Sequence, residues 1–313
     1  MLVIDIATGN VDAVPVGPTW TVAAGLGARN GMGGITVAYD AQRNIKEVYG
    51  GDRQGNMWRF DLSNGVPTGA KGFGGGNTPL FTATDAGGNR RPITAAPRLA
   101  LHPRSGMYLI FGTGKLHDDG DSFSTDVQAI YGLWLKPDHG ATITSSQIAS
   151  VSMTTAADGV RTFSLSGTDW STKLGWQVPL TGGERVISDP STDLGTMVVA
   201  TFKPGASGDP CDGGGSSYMY RFDYATGEVV GTPVSGVVGA ITPLVALPTH
   251  ARTLSGPNLR SVMERQPGEP DGGAGRSSSQ CRMYSTSIQG RPNVIAQNCP
   301  GMGPLRVWRS ATR

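Results

Sequence analysis

A short unit recurs along this chain: alternating hydrophobic residues, then Asp, then a small polar residue and Gly. It occurs as VIDIATG at residues 3–9, as WRFDLSNG at 58–65 and as YRFDYATG at 220–227. The alternation has the two-residue period of a β-strand, and Asp followed by Gly suits a tight turn because Gly tolerates a positive φ. Repeated use of one strand-and-turn unit is typical of a repeat architecture, so this pattern constrains the fold strongly.

Similar strand patterns fill much of the remaining sequence, and turn clusters rich in Gly, Asn and Asp separate them. They lie at residues 2–6, 47–62, 107–111, 130–135, 197–202 and 218–222. No segment of about eleven or more residues shows convincing helical periodicity. The 47 Gly and 21 Pro, with only 16% charged residues, agree with many short strands joined by turns. We therefore predict an all-β fold.

The length of the chain indicates how many repeats it holds. A four-stranded propeller blade takes roughly 40 to 50 residues, so the chain accommodates about six or seven blades. We predict that residues 1–313 form a single modified, irregular β-propeller domain with long inserted loops. The strand pattern is interrupted at residues 117–126, 204–217 and 257–279. The last of these is rich in Pro, Gly, Ser and Arg, and we expect it to be a flexible loop.

Charge and hydropathy exclude several classes of partner. The net charge of +2 gives no case for nucleic acid or for an anionic membrane. No uninterrupted apolar run approaches the roughly 18 residues that indicate a membrane span. The start, MLVIDIATGN, carries Asp5 within its apolar stretch and has no basic leading region, so it is interpreted as a strand and turn. If the protein is exported, we expect its signal to lie upstream of Met1.

Motifs that carry catalytic chemistry are incomplete or missing in the sequence. The glycines of residues 25–34 lack the dinucleotide-binding spacing, and GTGK at 112–115 lacks both the upstream Gly and the following Ser or Thr of a phosphate loop. No G-x-S-x-G occurs, and no His is paired by spacing with a Ser or Cys nucleophile. We therefore predict no catalytic centre and no enzyme activity.

Residues that could bind metals are few and scattered. The chain has three cysteines, Cys211, Cys281 and Cys299. They form no C-x-x-C pair and the four His are far apart, so a zinc or redox site is not expected. Cys281 and Cys299 could close a short loop, or the thiols could all be reduced; the pairing is left open. Asp118, Asp119 and Asp121 are candidate ligands for a hard cation, although they lack the alternating order of a calcium loop.

The stretch VYGGDRQGNMWRFDL at residues 48–62 is more specific than an ordinary turn. Its glycines and Asn56 suit turn or close-approach positions, while Trp58 and Phe60 alternate toward one packing face. Together with seven later segments it resembles the C-terminal propeller domain of PilY/PilC-type proteins, which are associated with type IV pilus tips. These segments lie at residues 79–83, 93–103, 107–121, 129–138, 175–191, 198–228 and 307–310.

The resemblance covers nearly the whole chain and implies a function. It implies a modified β-propeller at the end of a larger secreted protein that is needed for pilus assembly and contributes to twitching motility and surface adhesion. The implied partners are type IV pilus components, such as minor pilins, or surface ligands. The implied location is extracytoplasmic, at the bacterial outer membrane, the cell surface or the pilus tip. An upstream von Willebrand factor A-like region, usual in the family, is absent from this sequence.

The resemblance also implies a calcium loop just before residue 48. The family places oxygen ligands at alternate positions, which wraps them around a hard cation. The corresponding residues here are Ala38, Asp40, Gln42, Asn44 and Lys46. Only Asp40 is a carboxylate, and Lys46 brings an ammonium where a further Asp would help to neutralise Ca²⁺. We therefore expect a degenerate calcium site, with Asp40, Gln42 and Asn44 as its remaining ligands, and no other cofactor.

Two other functions fit a propeller of this composition. One is a quinoprotein-like dehydrogenase, in which stacked aromatic residues hold the cofactor; the sequence lacks vicinal cysteines and a carboxylate set that would activate an alcohol. The other is a generic scaffold propeller of the cell envelope, in which the same repeats only support protein contacts. The non-enzymatic pilus module is preferred over both.

Overall fold

The fold is built almost entirely from short strands. The structure, a computed structural model, describes residues 1–14, 16, 30–66, 78–118, 120–137, 142–151, 153–155, 161–162, 168–193, 196–205, 215–224, 234–238, 241–243, 280–287 and 292–298. Within these ranges the helical elements are two single 3₁₀ turns, Asp121–Phe123 and Ser145–Gln147. None of the helices in these ranges is long and apolar enough to cross a membrane. The prediction of an all-β fold is confirmed.

The described part of the chain contains twenty strands. In chain order they are β1 (Leu2–Ile4), β2 (Val11–Ala13), β3 (Met32–Tyr39), β4 (Ile45–Asp52), β5 (Asn56–Asp61), β6 (Phe81–Thr82), β7 (Arg98–Leu101), β8 (Met107–Gly112), β9 (Ala129–Leu135), β10 (Ile148–Ser150), β11 (Thr154–Thr155), β12 (Arg161–Thr162), β13 (Gly175–Pro179), β14 (Ser191–Asp193), β15 (Thr196–Pro204), β16 (Gly215–Asp223), β17 (Val234–Val238), β18 (Ile241–Pro243), β19 (Gln280–Ser287) and β20 (Pro292–Asn298). Each strand pattern recognised in the sequence falls on one of these strands, except the pattern at 47–62, which covers both β4 and β5.

The strands form a series of small sheets that follow one another along the chain. Their strand orders are β3-β4-β5-β6, then β7-β8-β9-β13-β10, then β14-β15-β16-β17, then β18-β19-β20, and the hairpin β1-β2 precedes them. Strand β7 is the first strand of the second sheet. It lies beside β3, the first strand of the sheet before it, and beside β14, the first strand of the sheet after it. Radially arranged sheets with neighbouring first strands are the architecture of a β-propeller. The number of six or seven blades stays a prediction.

Hydrophobic side chains pack between consecutive sheets. One core lies between the four-stranded β3 sheet and the five-stranded β7 sheet. It includes Met57, Phe81, Leu109, Phe111 and Tyr131, each at most 2% exposed. A second core joins the β7 sheet to the β14 sheet, and a smaller one joins hairpin β1-β2 to β4 and β5. Burial against a neighbouring blade is therefore what stabilises each small sheet, since a lone hairpin is at best marginally stable in water.

Two glycines allow adjacent blades to approach closely. A Cβ atom on Gly51 would lie 2.1 Å from Cγ2 of Ile93, and one on Gly112 would lie 2.2 Å from Cγ2 of Val186. In both places the arriving hydrophobic residue also donates its backbone N–H, at 2.9 Å, to the carbonyl that follows the glycine. The same joint thus connects the first blade to the second and the second to the third. This confirms the close-approach role expected for the GG pair of the 48–62 stretch.

Candidate functional site

The predicted calcium-loop residues form the turn between β3 and β4. Oδ1 of Asp40 accepts hydrogen bonds from the backbone N–H groups of Gln42 (2.9 Å) and Asn44 (2.8 Å). Oδ2 of Asp40 accepts a third from Nδ2 of Asn44, at 3.0 Å. Hydrogen bonds from Asn44 and the nearby Lys46 ammonium hold the pKa of the Asp40 carboxyl below its usual range. We call this carboxylate–amide pairing the Asp–Asn clasp.

This arrangement does not match what a calcium ion needs. Ca²⁺ takes six to eight oxygen ligands, of which several are usually carboxylates. Here Asp40 is the one carboxylate among the predicted ligands, and its two oxygens accept from N–H groups of Gln42 and Asn44. Ala38 is paired with Glu47 across the sheet, and Lys46 is exposed. No group of three acidic, His or Cys side chains in the described ranges could hold a metal. The structure therefore brings Asp40 and Asn44 together as partners of each other.

The Asp–Asn clasp occurs three times in the described residues. The sequences are DAQRN at 40–44, DRQGN at 52–56 and DAGGN at 85–89. In each, Oδ2 of the Asp accepts from Nδ2 of the Asn, at 3.0, 2.9 and 2.8 Å, and Oδ1 accepts from the backbone N–H of the Asn, at 2.8, 2.9 and 2.8 Å. Sequence reasoning missed this repeat, although the shared D-x-x-x-N spacing would have identified it. The clasp is a recurrent way of closing hairpins in this fold.

The second clasp is the buried centre of the 48–62 stretch. Asp52 is fully buried and accepts five hydrogen bonds. The donors are Nδ2 of Asn30 (3.0 Å), the backbone N–H of Gln54 (2.9 Å), both the backbone N–H and Nδ2 of Asn56 (2.9 Å each) and Nε1 of Trp58 (2.7 Å). The carboxylate therefore connects two strands, their turn and an incoming segment. The Asp of the motif has a structural role in which every oxygen is engaged.

The acidic segment at 117–126 is held by cations from the protein itself. Asp118 forms ion pairs with Lys115 and Arg53, and Asp121 is 6% exposed and accepts from Lys115 and from the backbone N–H groups of His117 and Asp118. Burial works to raise the pKa of Asp121, but these hydrogen bonds outweigh it and keep the pKa below its usual range. Asp119 lies outside the described residues. Asp121 is therefore a buried carboxylate within this segment, and Lys115 and backbone donors compensate its desolvation.

Arg185 organises the backbone of this same segment. Its guanidinium, in a residue only 4% exposed, donates to the backbone oxygens of Lys115 (3.1 Å), Asp121 (2.5 Å) and Ser124 (2.8 Å). Burial lowers the pKa of Arg185, although the carboxylates of Asp121 and Asp126 act in the opposite direction. The guanidinium therefore acts as a brace that fixes the loop against the start of the third sheet.

Arg91 takes the equivalent position one blade earlier. It is 6% exposed and donates to the backbone oxygen of Val127 (2.8 Å), the hydroxyl of Tyr131 (2.7 Å) and Oε1 of Gln177 (3.2 Å). Each of the two arginines begins a segment that enters a new sheet, as RPI at 91–93 and RVI at 185–187. Sequence reasoning missed both, since an isolated Arg in a turn usually indicates a solvated side chain.

Glu184, next to the second arginine, is a buried carboxylate surrounded by hydroxyl groups. It is fully buried, and its oxygens accept from Thr201 (2.5 Å), Tyr220 (2.8 Å) and Thr181 (2.8 Å). These donors come from β15, β16 and the turn that precedes them. The carboxylate therefore connects the strands of the third sheet to the segment that enters it.

The arrangement as a whole is a rigid support with engaged buried polar groups and exposed turns. Its successive small sheets, glycine joints and clasped hairpins define the class of protein: a β-propeller in which a recurring polar motif closes the hairpins. The hairpin turn at 40–44 is one of several polar turns that are exposed to solvent in the described residues.

Comparisons with known proteins agree with this class and name a family. Residues 1–154 match the family model described as the PilY1 beta-propeller domain. A type IV pilus biogenesis factor PilY1 homolog of Xylella fastidiosa is 30% identical over 249 residues, and PilY1 of Pseudomonas aeruginosa is 29% identical over 271 residues. Each alignment covers 72% of this chain. Residues 1–154 thus match the PilY1 β-propeller domain, which confirms the resemblance recognised in the sequence.

A solved structure shares the fold. The crystal structure of the Pseudomonas aeruginosa PilY1 C-terminal domain matches with a TM-score of 0.58 at 23% identity, covering 94% of this chain and 64% of that one. The curated relatives are much longer: the chain spans 17% of the Xylella protein and 23% of the Pseudomonas protein. The chain thus corresponds to about a fifth of the length of these relatives.

Proposed function

We propose that this chain is the non-enzymatic propeller module of a type IV pilus biogenesis factor. The observation that carries the proposal is the match of residues 1–154 to the PilY1 propeller family, whose curated relatives are named for pilus biogenesis. Because the chain spans about a fifth of these relatives, the module acts as one part of a larger protein in this proposal.

The buried polar groups support a role in contacts over a role in catalysis. Asp52, Glu184 and Arg185 are all buried and donate to or accept from groups of several strands and turns. A catalytic acid or base has to reach a proton on its substrate, which these engaged and enclosed groups are not placed to do. They stiffen the propeller instead, and a stiff support suits the presentation of surface turns to partners.

The finer part of the proposal concerns what the module contacts and where. It supports pilus extension, twitching motility and surface adhesion through contacts with type IV pilus components, such as minor pilins, or with surface ligands. It acts outside the cytoplasm, at the outer membrane, the cell surface or the pilus tip. These statements follow from the family resemblance, with the propeller as the contact-bearing part.

Calcium plays no part in the proposed function. Asp40, Gln42 and Asn44 are the residues of the family's calcium loop that still offer oxygens, but the N–H groups of Gln42 and Asn44 already occupy the carboxylate. Hydrogen bonds of the Asp–Asn clasp close the hairpin, and the proposed function relies neither on calcium nor on another cofactor.

Deletion and complementation in the source bacterium test the pilus function. The segment that encodes residues 1–313 is deleted in frame, surface pili are counted by electron microscopy, and twitching zones are measured. We expect both to be lost and to be restored by the full-length gene. Unchanged piliation and twitching after deletion would contradict the proposal.

A separate measurement addresses enzyme activity. The purified chain is scanned for cofactor absorbance and assayed for alcohol dehydrogenase activity after addition of quinone and calcium. We expect no cofactor band and no turnover. A quinone absorbance band together with turnover would contradict the non-enzymatic proposal and would favour a quinoprotein-like enzyme.

A further inference from the structure

The turn at 40–44 carries an unusual backbone conformation. Arg43 has φ = 68°, and it is the one non-glycine residue with positive φ in the described ranges. The fourth residue of the other two clasps is glycine: Gly55 with φ = 78° and Gly88 with φ = 84°. A side chain in this left-handed region is disfavoured because its Cβ crowds the backbone, which is why glycine is the usual residue there. The hairpin at 40–44 thus has an arginine at the positive-φ position, where the other two clasps have glycine and avoid the backbone strain.

The Arg43 side chain does not compensate for this cost by contacts within the fold. It is exposed, and in the described part of the structure its guanidinium forms no ion pair or hydrogen bond. The backbone N–H of Arg43 donates to the carbonyl of Asp40 at 3.1 Å, which any non-proline residue would do equally. Nothing internal to the described fold therefore favours arginine over glycine here.

Two apolar side chains flank the exposed arginine. Tyr39 is 62% exposed and Ile45 is 47% exposed, and they are paired directly across β3 and β4. Tyr and Arg are the residue types that most often dominate the binding energy at protein interfaces. The tip of the hairpin therefore presents a cation between two apolar contacts.

The Asp–Asn clasp makes this presentation rigid. Asp40 and Asn44 are connected by three hydrogen bonds, two to the Asp40 carboxylate and one from the Asp40 backbone N–H to the Asn44 carbonyl, and these close the turn on both sides of Arg43. A preordered turn loses less conformational freedom on binding than a flexible loop does. The exposed Arg43 and Lys46 give the tip two positive charges against the single negative charge of Asp40, whose carboxylate is hydrogen-bonded within the turn.

We infer that the β3-β4 hairpin tip is a docking surface for a protein partner that presents carboxylates beside an apolar patch. The Arg43 guanidinium binds a partner carboxylate, for which its planar pair of N–H groups is well suited, while Tyr39 and Ile45 pack on apolar side chains. The partner is a component of the pilus fibre, and this identity rests on the proposed function. An anionic lipid surface is a less suitable partner, because two cations at one tip give only weak attraction to a bilayer.

The test measures binding of the full chain to type IV pili sheared and purified from the source bacterium. Immobilised pili are titrated with the wild-type chain and with Arg43→Gly, Arg43→Lys and Tyr39→Ala variants at low and high salt. Arg104→Ala is the matched control, since it removes one exposed positive charge from a turn of another blade. Thermal melting of each variant checks the fold.

Arg43→Gly is expected to bind pili at least about tenfold more weakly than the wild type while melting at the same or a higher temperature. Arg43→Lys keeps the charge but loses the planar geometry, and we expect an intermediate affinity. Arg104→Ala should bind like the wild type, and high salt should weaken binding of the wild type more than that of Arg43→Gly.

Two results would overturn the inference: equal affinity of Arg43→Gly and the wild type, or no binding of the wild-type chain to pili. Arg43-dependent binding to phosphatidylglycerol vesicles but not to pili would do the same. The pilus function is judged independently by complementation. If the protein restores piliation but does not bind pili through this tip, the docking surface is rejected and the proposed pilus function stands.

Discussion

The indole Nε1 of Trp58 donates a 2.7 Å hydrogen bond to the carboxylate of Asp52, and both residues are almost completely buried. Their six-residue separation spans the turn from β4 to β5. The bond therefore ties the packing face of one strand to the clasp that closes the hairpin. It explains why Asp, Asn and Trp occur together in the 48–62 stretch.

Replacing Asp52 by Ala should destabilise the domain strongly. Five donors would lose their acceptor, and the three from Asn56 and Trp58 are buried, where each unsatisfied group costs roughly 1–3 kcal/mol. We expect a loss of about 3 kcal/mol or more in the free energy of unfolding, measured by urea denaturation. Asp40→Ala removes the equivalent clasp at an exposed turn and should cause a much smaller loss. Similar losses of unfolding free energy for Asp52→Ala and Asp40→Ala would contradict the idea that burial of Asp52 makes its clasp the more important one for stability.

Gly51→Ala should disturb the joint between the first two blades. The added methyl group would lie 2.1 Å from Cγ2 of Ile93, so the blades would have to move apart. Overpacking of this kind costs roughly 2 kcal/mol, again measured by urea denaturation. Gly31→Ala is the control, because a Cβ there has a single neighbour, at 3.9 Å. If Gly51→Ala lowers the free energy of unfolding less in an Ile93→Ala background than in the wild type, the two residues are coupled.

Calcium titration by calorimetry should separate the unmodified chain from a repaired loop. The unmodified chain is expected to give no saturable heat, because Asp40 is engaged by N–H donors and Lys46 adds positive charge. A variant with Ala38→Asp and Lys46→Asp adds two carboxylates and removes the ammonium, and it should gain measurable affinity. Saturable binding by the unmodified chain would show that the clasp opens for the ion.

His102 should make stability depend on pH on the acidic side of neutrality. It stacks on Trp134 with ring centres 3.9 Å apart, and its Nδ1 accepts the backbone N–H of Arg104. Burial and the Arg104 charge lower the pKa of His102 to about 4, below the value of about 6.5 in an unfolded chain. The unfolded chain therefore binds the proton more readily, so stability should fall as the pH decreases from about 6.5 to about 4 and level off below that.

Urea midpoints at several pH values between 7 and 4 check the contribution of this histidine. His102→Phe keeps an aromatic ring against Trp134 but cannot titrate, and its midpoint should vary less with pH in this window. Equal slopes for the variant and the wild type would assign the effect to other groups.

Particular residues show how far sequence reasoning reached. The Asp5 and Asp61 turns were recognised from their spacing, and in the structure each Asp accepts backbone N–H groups while Gly9 and Gly65 have positive φ. Such local features depend on residues next to one another in the chain. The regions of 204–217 and 257–279 that the sequence singled out are mostly or entirely outside the described residues, as are Cys211 and Cys299, while Cys281 lies on strand β19.

The sequence by itself determined the strands, the hairpin turns and the β-propeller class, because these follow from residue type, short spacing and repetition; the degenerate calcium loop was implied by the family resemblance and stays a prediction. Only the tertiary structure decided that Arg91 and Arg185 are buried braces and that Gly51 receives Ile93. It also decided that Asn44 takes up the Asp40 carboxylate, so that hydrogen bonds close the hairpin without a cation. The physical reason is that a short pattern specifies a turn, whereas burial and partner choice depend on groups that other blades bring into contact.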